Sequence, residues 1–385
     1  MQDVMQCFGR AGRPQYDTSG EGIIITTHDK LPHYLRLLNS GLPIESQYLQ
    51  ALSNHLNAEV VLGNVTSIDE AVEWLRYTYL WTRAVRSPNP LEYGITLAER
   101  QEDPELQMWR RKLVTRTAEN LFKSRMIIYL KDTGQIRSTA LGRVASHFYV
   151  DHGTVETFAD PTTGVCEYMA DADILGLVGM ASEFSGVKVR QEELEELDAL
   201  QREGCEVDVK GGVEHAHGKV NVLLQAYLSQ LRIKSFSLVI DQMYVAREAG
   251  RLLRALFEMT FYSMARQTQE PFKGWVDSAM AILALCKALE RRSWHTRHPL
   301  AQLAGQPGIS PDVLGHLETH KGWLEVDKLR SMSPQELEAH FGAGKVNRGR
   351  LRPADIERSL MYLPVLRAET ELRPITRIAD PPAVV

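Results

Sequence analysis

The sequence predicts a mainly α-helical protein with small β elements. Three observations carry this. Apolar residues recur at three- and four-residue spacing over most of the chain, the period of helices with one buried face. Helix starts are marked by polar caps, at Ser67-Ile68-Asp69-Glu70 and at Asp103-Pro104. One hairpin signal, Asp132-Thr133-Gly134, stands between the short runs 127–130 and 135–137. At 385 residues the chain is long enough for about two to four modules with real cores. A net charge of −5 argues against coating nucleic acid by bulk charge and leaves room for a local basic path. Cys7, Cys166, Cys205 and Cys286 are scattered and read as reduced thiols of a nuclear or cytosolic protein. No apolar run approaches the roughly 18 residues of a membrane span. Gln2, Asp3 and Gln6 interrupt any signal peptide at once. Met1 is expected to be an internal methionine of a longer product, or a gene-model start.

In chain order, an apolar run at 22–27 predicts a buried strand and 31–38 a short helix. Leu49, Leu52 and Leu56 form one stripe of a helix over 46–56. The capping box at Ser67 launches a helix with Ala71, Leu75, Thr78 and Tyr79, stopped by Pro88 and Pro90. Asp103-Pro104 opens a basic helix to about Arg125 with Arg110, Arg111, Lys112, Arg116 and Lys123. The hairpin follows, then a helix capped by Ser138 that runs through Val150. Helices followed by a hairpin wing predict an elaborated winged-helix module. From Glu167 to Arg292 the pattern is almost wholly helical. There Glu192, Glu193, Glu195 and Glu196 read as a solvated acidic face. Pro299, Pro307 and Pro311 punctuate a linker. Short helices at 311–321 and 334–341 follow, then the Gly342-Ala343-Gly344-Lys345 turn and a basic stretch with Arg348, Arg350, Arg352 and Arg358. That turn reads either as a phosphate cradle or as a plain helix cap.

Two groups of residues carry chemistry. Gln6 to Pro14 (QCFGRAGRP) places Arg10 and Arg13 three residues apart on a glycine-containing turn. A guanidinium fork matches the oxygens of a phosphoryl group in transfer better than an ammonium does. Used that way, such arginines are worth about 10³–10⁵ in rate, or roughly 4–7 kcal/mol. Gln6 would sense the nucleotide from one turn back. The plainer alternative is a surface loop with two arginines. Second, in a helix over 243–261, Arg247, Arg251, Arg254 and Glu258 share the side opposite Val245, Ala249, Leu252 and Leu256. That row could track phosphates, or be an exposed face with an Arg254–Glu258 pair. No phosphate-binding P-loop is present. Gly212 to Val220 comes nearest, but its glycines are one residue too far apart and it ends in valine. No histidine set has metal-ligand spacing.

The order of these segments resembles the large Ski-type DExH helicases, which include spliceosomal and signal-cointegrator members. The resemblance spans nearly everything from Gln2 to Arg377. It is carried by FGRAGRPQYDTSGEGIIITTHDK (8–30), PIESQ (43–47), LNAEVVL (56–62), YTYL (77–80), Tyr244 to Glu258 and PITR (374–377). Gly211-Gly212-Val213-Glu214 with Gly218-Lys219-Val220-Asn221 looks closer to the cointegrator type. The resemblance implies the end of a second RecA-like lobe (1–40), a winged helix (41–160), a helical ratchet domain (161–292), a helix-loop-helix domain (293–366) and a truncated start of an immunoglobulin-like domain (367–385), the last three of Sec-sixty-three type. It implies that Arg10 and Arg13, with Gln6, complete an ATP and magnesium site in an intact helicase, and that Arg247, Arg251 and Arg254 touch a translocating strand. The P-loop, the acidic motif and the strand-separating hairpin are missing, so this chain alone is expected neither to bind ATP nor to hydrolyse it.

The expectation is therefore the C-terminal part of an ATP-dependent nucleic-acid helicase cassette. Its expected partners are single-stranded nucleic acid, on family grounds RNA, and the proteins of a multi-subunit complex, with no membrane, in nucleus or cytoplasm. The alternative is a catalytically inactive protein-docking scaffold.

Overall fold

A computed structural model of the chain describes residues 2–13, 15–40, 45–87, 89–262, 275–304, 309, 314–315, 317–318, 326–341, 357–358, 360–365 and 369. The chain divides into two compact units, Met1–Lys123 with Ile127–Ser138, and Ser124–Met126 with Thr139–Val385. The fold is mainly α, with one two-stranded sheet among the described residues. None of the described helices is long and apolar enough to cross a membrane.

The first unit opens with α1 (Gln2–Phe8) and α2 (Leu31–Ser40). Between them the expected strand at 22–27 is not formed: the segment is irregular, and Ile25 is 96% exposed. A strand exists only against a neighbour, and among the described residues none pairs with it. Next come α3 (Leu52–Leu62), α4 (Ile68–Arg76), α5 (Tyr79–Arg86), α6 (Leu97–Glu102) and α7 (Gln107–Lys123). Leu56, Leu75, Leu80, Val114 and Leu121 bury completely among them. The wing pairs β1 (Ile127–Leu130) with β2 (Gln135–Ser138), antiparallel, from Ile127 opposite Ser138 to Leu130 opposite Gln135. Gly134 takes a positive φ of 68° in the turn. The Ile136 amide donates to the Thr66 carbonyl at 2.7 Å and the Ile68 amide to that of Gly134 at 2.9 Å, so the start of α4 edges the wing.

Several helix starts differ from expectation for local reasons. Ser67 caps α4 at Glu70, but the Glu70 carboxylate turns to Thr66, taking its amide and hydroxyl at 2.7 Å each. Thr78 breaks the expected long helix by capping α5. Asp103 closes α6 and reaches the Met108 amide at 2.7 Å, so α7 begins at Gln107. The next helix is capped by Thr139, not Ser138, through the Gly142 amide at 3.1 Å. Glu45 accepts from Nη2 and Nε of Arg83, at 2.6 and 3.3 Å, and from the Tyr93 hydroxyl. Those partners hold its carboxyl below the usual range.

The second unit contains α8 (Ala140–Phe148), α9 (His152–Phe158), α10 (Asp171–Gly179), α11 (Leu194–Gly204), α12 (Ala216–Leu228), α13 (Phe236–Met259) and α14 (Val276–Arg291). Helix α12 is buried almost all round, from Gly218 to Ala226, as the central helix of a bundle must be. α10, α11 and α13 pack on it, and α13 also carries α8 and α14. α8 and α9 fall within this second unit. Helix α13 starts at Phe236, seven residues before the expected Met243, because Glu196 accepts the Lys234 and Ser235 amides at 2.5 and 3.0 Å.

The acidic face on α11 is not simply solvated. Glu193 is fully buried and takes hydrogen bonds from Lys219 (2.5 Å), Ser237 (2.6 Å) and Arg190. Lys219, the lysine of the near-miss P-loop, is fully buried too, and also donates to Asp241 (2.7 Å) and the Lys188 carbonyl (2.9 Å). It is a structural ion, not a phosphate ligand. The helix-loop-helix segment has its own small core of Leu300, Ile309, Leu314, Leu317, Leu329, Leu337 and Leu360. The Gly342–Lys345 turn, Arg348, Arg350, Arg352, the PITR stretch and the expected immunoglobulin-like start lie outside the described residues, except Glu369.

Candidate nucleotide and nucleic-acid sites

The arginine turn follows directly from α1. The amides of Arg10 and Ala11 continue the helix by donating to Cys7 and Phe8 carbonyls at 3.0 Å. Gly12 then reverses the chain at φ +92°, a conformation that side chains rarely adopt. Asp17 closes the turn: its carboxylate accepts the Arg13 amide at 2.8 Å, and its own amide donates to the Arg13 carbonyl at 2.8 Å. Gly20 lies against it, where a β-carbon would come within 2.1 Å of the Ala11 carbonyl oxygen. The result is an open concavity of about 460 Å³ lined by Gly9, Arg10, Gly12, Arg13 and Gln15.

Arg10 and Arg13 are both exposed on this turn, and among the described residues neither guanidinium has an ion-pair partner. Paired, unengaged forks over a glycine floor fit phosphate oxygens. Gln6 lies exposed on α1 and does not line the concavity. Among the described residues no three His, Cys, Asp or Glu side chains gather as a metal site.

The three arginines of α13 divide into different environments. Arg247 is 73% exposed, pairs with Glu248 at 3.0 Å and lies over the Tyr244 ring at 5.6 Å. Arg254 is also exposed and pairs with Glu290 of α14, not with the expected Glu258. Arg251 is only 31% exposed. It donates to Glu248 (2.6 Å) and, on α8, to the carbonyls of Phe148 (3.3 Å) and Tyr149, neutralising the end of that helix. Arg251 is thus committed to packing. Phe236, Ile240 and Met243 were not assigned a role from sequence, yet all three are exposed and continue the Arg247–Arg254 side of α13 toward its start. The same helical spacing that picked out the arginines contains them; placing the helix start at Met243 hid two of the three.

Wing, helices and central bundle define a winged-helix module followed by a helical domain of the kind found in large helicases. Residues 45–131 match the Winged Helix-turn-helix domain model, and residues 138–379 match the Sec63 Brl domain model. With well over half its length in that match, the chain belongs to the Sec63 Brl domain family. It is 44% identical over 97% of its length to activating signal cointegrator 1 complex subunit 3 of Rattus norvegicus. It is 42% identical over 98% to a DExH-box ATP-dependent RNA helicase of Arabidopsis thaliana. It is 38% identical over 97% to the U5 small nuclear ribonucleoprotein 200 kDa helicase of Caenorhabditis elegans. The chain spans 16% of the length of each of these relatives.

Proposed function

We infer that this chain is a segment of a larger ATP-dependent RNA helicase, working in the nucleus or cytoplasm within a multi-subunit complex. In that enzyme Arg10 and Arg13 complete the ATP site as arginine fingers, with Gln6 one turn back on α1 as a nucleotide sensor. Helix α13 guides a single strand along Phe236, Ile240, Met243, Arg247 and Arg254. Domain limits follow the resemblance: RecA-like lobe, winged helix, ratchet domain, helix-loop-helix. The observation that carries the reading is the Arg10–Arg13 pair, exposed and unengaged among the described residues on a turn shaped by Gly12 and locked by Asp17. ATP and magnesium belong to the assembled site; the arginines supply charge to the transferring phosphoryl group and no step of their own.

The test uses the longer protein that carries these residues. Arg10→Lys and Arg13→Lys should each reduce RNA-stimulated ATP hydrolysis by about 10³-fold or more while leaving RNA binding in place. Hydrolysis within a few-fold of the parent would sink the finger assignment. One observation favours a protein-docking scaffold instead: Arg247 and Arg254 already have carboxylate partners, Glu248 and Glu290. A scaffold predicts no measurable strand binding at all.

A further inference from the structure

The backbone of Tyr149 caps α8, with the Val150 amide donating to the Ala145 carbonyl at 2.9 Å, but the cap gives its aromatic side chain nothing to do. It ends α8 in the left-handed conformation, φ 55° and ψ 41°, where glycine is at ease and a side chain is strained. Its ring is 86% exposed, so core burial does not offset that strain. Yet its position is fixed with care. Arg251 of α13 donates to the Tyr149 carbonyl, and at 3.3 Å to that of Phe148. The same arginine holds Glu248 at 2.6 Å, and Glu248 in turn holds Arg247 at 3.0 Å. A chain of contacts therefore runs from the backbone of Tyr149 to the most exposed arginine of α13.

We propose that Tyr149 is a base-stacking residue of the single-strand path, presented from α8 and anchored to α13 by Arg251. This rests on the reading of α13 as the strand-guiding helix, and adds to it a contact from a different element. An exposed aromatic face grips single strands without regard to sequence by stacking on a base, while Arg251 fixes where the ring is presented and leaves phosphates to the exposed arginines of α13. The cap itself asks only for a residue at ease in the left-handed region, which glycine or asparagine would supply; an exposed aromatic ring kept there is what a binding role accounts for. Arg251 acts here as a positioning residue.

The experiment uses the whole chain and a short fluorescein-labelled oligouridylate, with an aminopurine-containing oligonucleotide as the stacking reporter. Tyr149→Phe should bind as the parent does and keep the aminopurine quenching. Tyr149→Gly and Tyr149→Asn suit the left-handed cap, so their thermal midpoints should stay level or rise. Their strand affinity should nevertheless fall by about five- to a hundredfold, and the quenching should disappear. Stability held with binding lost is a combination that a capping role alone does not produce. Parent-like affinity and quenching in both variants overturns the proposal on its own, provided Arg247→Gln weakens binding. A parent chain that binds no strand overturns both this proposal and the reading of α13.

Discussion

Lys219 sits at no exposure because three acceptors surround its side-chain nitrogen: Glu193, Asp241 and the Lys188 carbonyl. The arrangement spans three sequence regions, so each side chain is needed to neutralise the others. Removing one member of a buried pair typically costs about 3–5 kcal/mol, because the partner is left charged and dry. Lys219→Met should therefore lower the urea-unfolding free energy of the second unit by about that amount. Adding Glu193→Leu and Asp241→Asn to it should restore part of the loss, since no bare carboxylate then remains. A single-variant loss below about 1 kcal/mol would show that water reaches the cluster. Arg251 differs in kind. Its hydrogen bonds go to the end of α8, so Arg251→Gln should destabilise by about 1–3 kcal/mol, read from thermal or urea unfolding, with the largest loss of amide-exchange protection at Phe148 to Val150.

At the scale of the element, the Glu193 cluster ties the segment before α11 to α12 and α13, and makes their packing acid-sensitive. Burial alone would raise the Glu193 carboxyl, but hydrogen bonds from Lys219, Ser237 and Arg190 outweigh it and draw it from an ordinary 4.5 to about 2. A carboxyl depressed on folding stabilises fully above its unfolded value, and loses that contribution as pH falls through the folded one. The window is thus about pH 4.5 down to 2, and the amount on the order of 3 kcal/mol. Urea midpoints measured down this range should drop steeply for the parent and less so for Glu193→Gln, which starts lower; parallel curves would remove Glu193 from the acid response. This cluster also marks where sequence reading ran out. The wing, the start of α4 and the helical run 167–292 were legible because periodicity and turn residues are local signals, whereas the helix expected over 46–56 forms at Leu52–Leu62. The acidic run on α11 looked like a solvent face because its partners, Lys219 and Ser237, lie on other helices. The early start of α13 was hidden for the same reason, the carboxylate that holds the two residues before it being Glu196 of α11. The strand at 22–27 failed in the opposite sense: its local pattern is right, and no described neighbour pairs with it. The arginine turn was legible because Gly12 and two arginines within four residues are themselves local, whereas the division of labour among Arg247, Arg251 and Arg254 depended on which helix each one meets.

For the whole molecule, a net charge of −5 means that strand binding cannot come from a general positive field. On the proposed reading of α13 it comes from a few cations that win phosphates against their own carboxylates, Arg247 against Glu248 and Arg254 against Glu290. That limits how many counterions binding releases. For single strands the slope of log K on log salt is about −0.7 per phosphate neutralised, so two arginines predict a slope near −1.4. Stacking on exposed rings adds affinity without adding slope, because it releases no ions. The expected behaviour is therefore measurable binding with shallow salt dependence, read by anisotropy with oligouridylate over a tenfold range of salt. Arg247→Gln with Arg254→Gln should flatten the slope toward zero, while Arg251→Gln should leave it unchanged, since that guanidinium is occupied by α8. A slope several times steeper would mean that a basic surface elsewhere, such as the exposed Lys112, Arg116 and Lys123 of α7, does the binding. A slope that the double variant leaves untouched would take the strand away from α13.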